Sequence, residues 1–189
     1  MRLFVAVVPP VEAIDHLDTF VEPRRAAADF RWAAVDQWHL TLTFMPQVDP
    51  WRIDDLVARL GEVAGRRASF RLTLRGGGAF PNPARAKVLW CGVGGETDAL
   101  ASTAAATRNA ANAAGAVPSG GPFRAHLTLG RLGRPSEISS WVRLLDAYEG
   151  PSWTVHELGL VASHLGEGPR RRPRHEVIAT VPLAQPPKE

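Results

Sequence analysis

The sequence His-Leu-Thr-Leu occupies residues 39–42, and the same four residues return at positions 126–129. Apolar and polar residues alternate in both copies. This predicts two β-strands whose Leu side chains point to one face and whose His and Thr side chains point to the other. A single copy is typical of the solvated face of a half-buried sheet. The repetition favours a duplicated fold with a functional pair in each half.

Brought together, the two strands would frame a site with His39, Thr41, His126 and Thr128. Two imidazoles can hold opposite protonation states near neutral pH, and two hydroxyls can donate hydrogen bonds to charged oxygens. This set suits a group that gains and loses protons at two oxygens, such as a phosphodiester. No metal is expected, because zinc needs three or four ligands and the four remaining histidines are scattered along the chain.

Length and composition indicate one soluble domain without a membrane segment. The chain has 189 residues, of which 45% are hydrophobic and 22% charged, and no stretch approaches the roughly 20 apolar residues of a membrane span. Cys91 is the single cysteine, so neither an intrachain disulfide nor a thiolate metal cluster is expected. These features predict a cytoplasmic monomer without a cofactor.

The charge pattern has one basic run that could contact nucleic acid. The net charge is +3, and Lys occurs only at positions 87 and 188, so Arg carries most of the positive charge. Arg suits bidentate contacts with phosphate. Two interpretations of the run remain open, a solvated loop and an electrostatic contact for a polyanion. The run consists of Arg170, Arg171, Arg172 and Arg174.

Periodicity predicts an α+β protein with two antiparallel sheets, a central cleft and helices outside. The predicted helices span residues 11–28, 51–64, 96–114 and 136–148. The predicted strands span 2–8, 70–74, 87–93, 153–161 and 175–181, besides the two HLTL strands, and 153–161 pairs with 175–181 as a hairpin. Residues 76–78 (Gly-Gly-Gly) and 81–83 (Pro-Asn-Pro) predict a flexible turn region, and the tail from about residue 183 is expected to be flexible.

The pattern resembles the 2H phosphoesterases, and within them the RNA 2′,3′-cyclic phosphodiesterases, formerly called 2′-5′ RNA ligases. The two His-x-Thr-x words carry the resemblance, together with flanking sequence along nearly the whole chain. The flanks are Arg2-Leu3-Phe4 with Pro9-Pro10, Arg31-Trp32, Phe44, residues 78–81, residues 88–93, and Phe123-Arg124 with the run from His126 to Arg131. The resemblance implies a bilobal, duplicated domain over residues 1–189.

The same resemblance implies an activity and roles for single residues. RNA ends carrying a 2′,3′-cyclic phosphate would be hydrolysed to 2′-phosphate, with His39 protonating the departing O3′ and His126 activating water. Thr41, Thr128 and Arg131 would hold the phosphate. Arg131 lies five residues beyond His126, so a strand end or a bulge is needed to bring it to the same face.

Two further positions and two alternative functions complete the expectations. Phe44 is a candidate RNA contact, and so is His175, which stands where the family often carries a Tyr near the start of its last strand. One alternative is a 2′-5′ RNA ligase, since joining is the reverse of the same reaction. The other is a non-catalytic module that binds RNA or a cyclic nucleotide.

Overall fold

The computed structural model describes residues 1–168 and 173–185, which fold as an α+β protein with four α-helices and nine β-strands. The helices are α1 (Val11–Val21), α2 (Ile53–Gly65), α3 (Thr97–Ala113) and α4 (Ser139–Asp146). The strands are β1 (Leu3–Val7), β2 (Arg31–Trp32), β3 (Leu40–Met45), β4 (Phe70–Phe80), β5 (Ala86–Gly95), β6 (Leu127–Ser136), β7 (Glu149–Val155), β8 (Glu157–His164) and β9 (Arg174–Pro182).

The strands form one curled antiparallel sheet in the order β7-β4-β5-β6-β3-β1-β8-β9, with the short β2 beside β6. This order consists of two four-stranded halves that meet where β6 lies against β3. The contact is narrow, because a single pair, Leu40 with Leu127, registers β3 with β6 in the described chain. The two expected sheets are therefore two halves of one continuous sheet, joined by the HLTL strands themselves.

The helices cover the sheet and supply its apolar core. α2 and α3 lie against β3, β8 and β9, whereas α1 and α4 lie against β4 and β7. α2 buries Leu56, Leu60 and Ala64 at four-residue spacing, and each fully buried Leu contributes about 1.5–3 kcal/mol. None of the helices in the described ranges is long and apolar enough to cross a membrane.

The glycine-rich stretch 76–78 lies inside β4, so the predicted turn is wrong there, whereas residues 81–83 do lie in the connection between β4 and β5. β4 continues to Phe80, and its pairing with β5 shifts register between Leu74 and Gly77. Gly78 is required for packing, because a Cβ there would overlap the indole ring of Trp90 on β5. The glycines thus bulge the strand and make room for a cross-strand side chain.

The predicted strand 153–161 is two strands, which break at His156. β7 pairs with β4 in one half of the sheet, whereas β8 pairs with β1 and β9 in the other half. Alternation alone cannot reveal this crossover, because the pattern is the same on both sides of the break. The hairpin with the last strand is confirmed for β8 and β9.

The start of the predicted flexible tail is docked on the sheet. Leu183 is buried, and its N–H donates to the carbonyl of His156 at 2.8 Å. Ala184 forms a parallel bridge with Ala68. Residues 186–189 lie outside the described residues.

Candidate active site

Both HLTL copies lie on strands with the expected alternation. Leu40, Leu42, Leu127 and Leu129 are buried in the main core, at most 7% exposed. The His of each copy stands immediately before its strand, and both Thr residues are only partly buried. The His and Thr side chains therefore point away from the main core, to a surface called here the cleft face.

The pairing of β3 with β6 sets the two copies against each other. Their antiparallel register joins the first Leu of each copy. No further pair of β3 with β6 is registered in the described chain, and the charge of His126 lowers the pKa of His39, so the two imidazoles lie near each other. Both imidazoles and both hydroxyls thus share the cleft face, close to the point where the two copies meet. Sequence reasoning predicts this meeting of the four residues.

A bulge in β6 brings Arg131 to the cleft face. Trp90 pairs with Thr128, and Val88 pairs with Arg131, so three residues of β6 span two of β5. Val88 and Trp90 are two residues apart and share a face, and Arg131 therefore lies on the same face as Thr128. The spacing of Arg131 from His126 predicts that a strand end or a bulge brings the two side chains to one face, and the structure has a bulge there.

The same bulge occurs in β3 and places Phe44 on the cleft face. Ala6 pairs with Thr41, and Phe4 pairs with Phe44, so again three residues of the HLTL strand span two of its neighbour. Phe44 packs with Phe4, Ala6 and Val161 in a small apolar cluster separate from the main core. Phe44 and Arg131 thus hold equivalent positions in the two halves.

Both imidazoles are held in one tautomer by backbone carbonyls. The Nδ1 of His39 lies 2.7 Å from the carbonyl oxygen of Gln37, and the Nδ1 of His126 lies 2.7 Å from that of Arg124. A carbonyl oxygen only accepts hydrogen bonds, so each Nδ1 must donate. In the neutral ring, Nε2 is then a bare acceptor that can take a proton and return it.

The protein lowers the pKa of both imidazoles. Burial lowers the pKa of His39 to about 4, with His175, His126 and Arg131 adding positive charge nearby. Burial, followed by the charge of Arg131, also lowers the pKa of His126. Both rings are therefore neutral in the free protein at neutral pH, ready to accept a proton when an anion enters.

Aromatic side chains support each imidazole. The His39 ring stacks on Phe4 at 4.6 Å between centroids and meets His175 edge to face at 5.2 Å. The His126 ring meets Phe80 edge to face at 4.8 Å, with Trp90 at 6.1 Å. These contacts restrict the rings, so the positions of their Nε2 atoms are set by packing as well as by hydrogen bonds.

His175 is part of the site. Its ring also lies 5.1 Å from Phe4, and burial lowers its pKa. Its Nδ1 is buried and has no hydrogen-bond partner among the described residues. A bare lone pair is less costly there than a buried N–H, so the neutral ring carries its proton on Nε2.

The remaining histidines do not join the site, and no metal centre is formed by the described residues. His16 contacts the Tyr148 hydroxyl at 3.0 Å, and His164 contacts Glu176 at 3.1 Å. No group of three or more His, Cys, Asp or Glu side chains within residues 1–168 and 173–185 could hold a metal ion. Metal independence stays a prediction.

One residue of the basic run, Arg174, lies among the described residues, and neighbouring carboxylates neutralise its charge. Arg174 forms ion pairs with Glu167 at 3.0 Å and Glu176 at 3.1 Å. Its guanidinium is therefore less available to RNA than the sequence suggests. Arg170, Arg171 and Arg172 lie outside the described residues.

Sequence reasoning missed the site roles of Phe4, Phe80 and Trp90, which enter it only as flanks of the resemblance. Their positions depend on which residue pairs with which across neighbouring strands. No signal in the sequence fixes that register, because both bulges fall inside regular alternation. The HLTL words could be found because they repeat.

Comparison with known proteins identifies the family. The sequence profile described as "LigT like Phosphoesterase" matches residues 7–90 and 93–170. This match covers most of the chain, and the protein belongs to the LigT-like phosphoesterase family. The paired HLTL strands and their shared cleft face lie within the matched ranges.

Relatives and solved structures agree with this family. The RNA 2′,3′-cyclic phosphodiesterase of Archaeoglobus fulgidus is 30% identical over 149 residues, which cover 76% of this chain and 80% of the relative. That of Aeropyrum pernix is 33% identical over 110 residues, or 58% of this chain. The structure of Escherichia coli LigT complexed with 3′-AMP has a TM-score of 0.78 at 27% identity, covering 97% of this chain and 98% of that chain.

Some relatives are longer than the matched region. The alignment covers 61% of the Aeropyrum pernix relative. It covers 56% of the Geobacillus stearothermophilus RNA 2′,3′-cyclic phosphodiesterase, which is 28% identical over 183 residues, or 95% of this chain. The chain thus spans about three-fifths of the length of these two relatives.

Proposed function

We propose that this protein hydrolyses RNA 2′,3′-cyclic phosphate ends to 2′-phosphate ends, using His39 and His126 as an acid–base pair without a metal ion. One observation carries the proposal. Two imidazole–hydroxyl pairs share the cleft face where β3 meets β6, with His39 and His126 near each other, and the carbonyl contacts of both Nδ1 atoms leave two Nε2 atoms to exchange protons. The names of the relatives supply the substrate class.

The reaction needs one proton removed and one supplied. Water attacks phosphorus as one Nε2 takes a proton from it, and the P–O3′ bond breaks as the other Nε2–H gives a proton to O3′. The product is a 2′-phosphate with a free 3′-hydroxyl. By family resemblance, His39 is the acid and His126 the base, and the near-symmetry of the site makes the reverse assignment the alternative.

The other cleft-face groups hold the anion. Thr41 and Thr128 donate hydrogen bonds to the non-bridging oxygens, and Arg131 adds a guanidinium. The substrate's negative charge also raises the pKa of a nearby imidazole. Substrate binding thereby supplies the protonated acid that the free protein lacks at neutral pH.

The candidate RNA contacts extend from this centre. Phe44 and His175 flank Phe4 on the His39 side, and either can pack against the base or sugar of the terminal nucleotide. Arg170, Arg171 and Arg172 would add salt-dependent attraction for a longer RNA.

A ligase and a binding module are the competing functions. Ligation uses the same groups in reverse, and water at its normal concentration favours hydrolysis. A binding module needs no pair of proton-exchanging nitrogens, so the two bare Nε2 atoms favour an enzyme.

The test is incubation of the purified protein with a short RNA that ends in a 2′,3′-cyclic phosphate. A 2′-phosphate terminus is expected, formed equally with and without EDTA. A 3′-phosphate terminus would contradict the assignment of the leaving oxygen. A loss of activity in EDTA that a divalent ion restores would contradict the metal-free scheme. Tight binding without any product would favour the module.

A further inference from the structure

Arg31 of β2 lies beside Arg131 of β6. These two residues form a registered antiparallel pair, and paired residues of a sheet share a face. The bulge in β6 puts Arg131 on the cleft face, so Arg31 lies on that face as well. β2 occupies the flank of β6 beyond the point where β3 pairs with it at Leu127.

Within residues 1–168 and 173–185, no carboxylate pairs with either of the two guanidinium groups. Both side chains are exposed, and neither forms an ion pair or a hydrogen bond among the described residues. Like charges directly opposite each other in a sheet are destabilising. An anion between or above them would relieve this repulsion, and Arg suits phosphate through two parallel N–H···O bonds.

β2 is held firmly although it is only two residues long. The Ala33 N–H donates to the Leu129 carbonyl at 2.8 Å. Phe30, Trp32 and Trp141 pack together at 5.2–5.5 Å between ring centroids. This packing anchors both neighbours of Arg31 along the chain. The backbone of Arg31 is therefore fixed while its charge stays exposed.

The position of Arg31 relative to the reacting groups suggests a separate phosphate. Along β6, Arg131 lies three residues beyond Thr128, about 10 Å for extended chain, and Arg31 lies level with it on β2, on the flank of β6 that β3 occupies at Leu127. Arg131 can reach back toward the reacting phosphate with its long side chain. Arg31 lies a similar distance along the strands and, with Arg131 turned to the reacting phosphate, is suited to the next phosphate of the same RNA strand.

We propose that Arg31 binds the phosphodiester immediately 5′ of the terminal nucleotide, so that the protein prefers an RNA chain to a mononucleotide. This rests on the proposed function, because it assumes that the terminal cyclic phosphate occupies the His39–His126 site. Arg31 is a specificity-determining residue and takes no part in proton transfer. A nucleoside 2′,3′-cyclic phosphate has no upstream phosphate and cannot use this contact.

The test compares kcat/KM for a nucleoside 2′,3′-cyclic phosphate and for a trinucleotide with the same cyclic terminus. Arg31→Gln is expected to lower the trinucleotide-to-mononucleotide ratio about tenfold, and Arg31→Lys less. The control is Arg66→Gln, an exposed arginine at the end of α2, which should keep the wild-type ratio. The salt slope of trinucleotide affinity should fall by about 0.7 in Arg31→Gln, as for one lost contact with a single strand.

Thermal unfolding separates this role from a structural one. Arg31→Gln should unfold at or above the wild-type temperature, because it removes a like-charge pair. Equal losses on both substrates, or an unchanged ratio, would overturn the proposal.

A binding measurement tests the role of Arg31 even when the proposed function fails. If the wild type turns over neither substrate, that function fails. The affinities of a trinucleotide 2′-phosphate and a nucleoside 2′-phosphate then test Arg31 alone. Loss of the trinucleotide preference in Arg31→Gln would support the contact, and an unchanged preference would overturn it.

Discussion

The His39 half and the His126 half of the cleft share a framework and differ in their surroundings. In both halves, Nδ1 donates to the carbonyl two residues earlier, and a bulge follows the Thr. The equivalent positions after the bulge hold Phe44 in one half and Arg131 in the other. The repeated word thus supplies two interchangeable imidazoles, and their neighbours make them chemically different.

The neighbours differ in polarity as well. His39 lies between Phe4 and His175, and its pKa is lowered to about 4, mainly by burial. His126 lies beside Phe80 and Trp90 without a second histidine against its ring, and the charge of Arg131 lowers its pKa as it does that of His39. Duplication alone would have produced two equal sites, and an acid–base pair requires unequal ones.

The largest expected effect comes from removing either imidazole. His39→Ala and His126→Ala should each lower kcat by about 10²–10⁴-fold, the usual contribution of one acid–base group. Hydrolysis of the cyclic-phosphate RNA measures this. His156→Ala, an exposed histidine between β7 and β8, should keep near wild-type turnover. Unchanged turnover in either site variant would show that the substituted histidine takes no part in the reaction.

The next largest effect is expected from removing the Thr hydroxyls of the two halves. Thr41→Val and Thr128→Val keep the shape and remove the donor, with an expected loss of about 2–4 kcal/mol in transition-state stabilisation. Single-turnover rates measure it, and Thr154→Val on the edge strand β7 is the control. If both site variants react at the wild-type rate, the Thr side chains are merely solvated.

Burial of His39 should make the fold sensitive to acid. In the unfolded chain this imidazole takes its proton near pH 6.5, and in the folded protein only near pH 4. The unfolded state therefore binds more protons between these values, and the free energy of unfolding should fall by roughly 3 kcal/mol as pH drops from 6.5 to 4. Denaturant unfolding measures this slope. A His39→Gln variant with the wild-type slope would contradict it.

His175 should have the smallest effect. His175→Phe keeps a ring against Phe4 and His39 and removes a group whose charge lowers the pKa of His39. The limb of the pH–rate profile that belongs to His39 should move upward, with kcat changed less than about tenfold. A pH–rate profile identical to that of the wild type would show that His175 only packs against Phe4 and His39 and does not affect the pKa of His39.

Sequence reasoning predicted the fold class and the four candidate groups of the site because both follow from alternation and repetition. His39, Thr41, His126 and Thr128 share a face on any strand, whatever its neighbours. Arg31 and Trp90 could not be placed in the same way, because their positions depend on cross-strand register and on bulges. Two predictions were wrong for the same reason, the turn at the glycines of β4 and the single strand over β7 and β8. In both segments, pairing with strands distant in sequence determines the secondary structure.

The pH dependence of kcat/KM for wild type, His39→Ala and His126→Ala tests the acid–base pair most directly. The wild-type profile should be a bell, because only the state with one imidazole charged and the other neutral reacts. Both limbs should lie below pH 6.5, since the pKa of each ring is lowered in the free protein. Each variant should lose one limb, and the two should lose opposite limbs. Two variants that both keep the full bell would contradict the pairing.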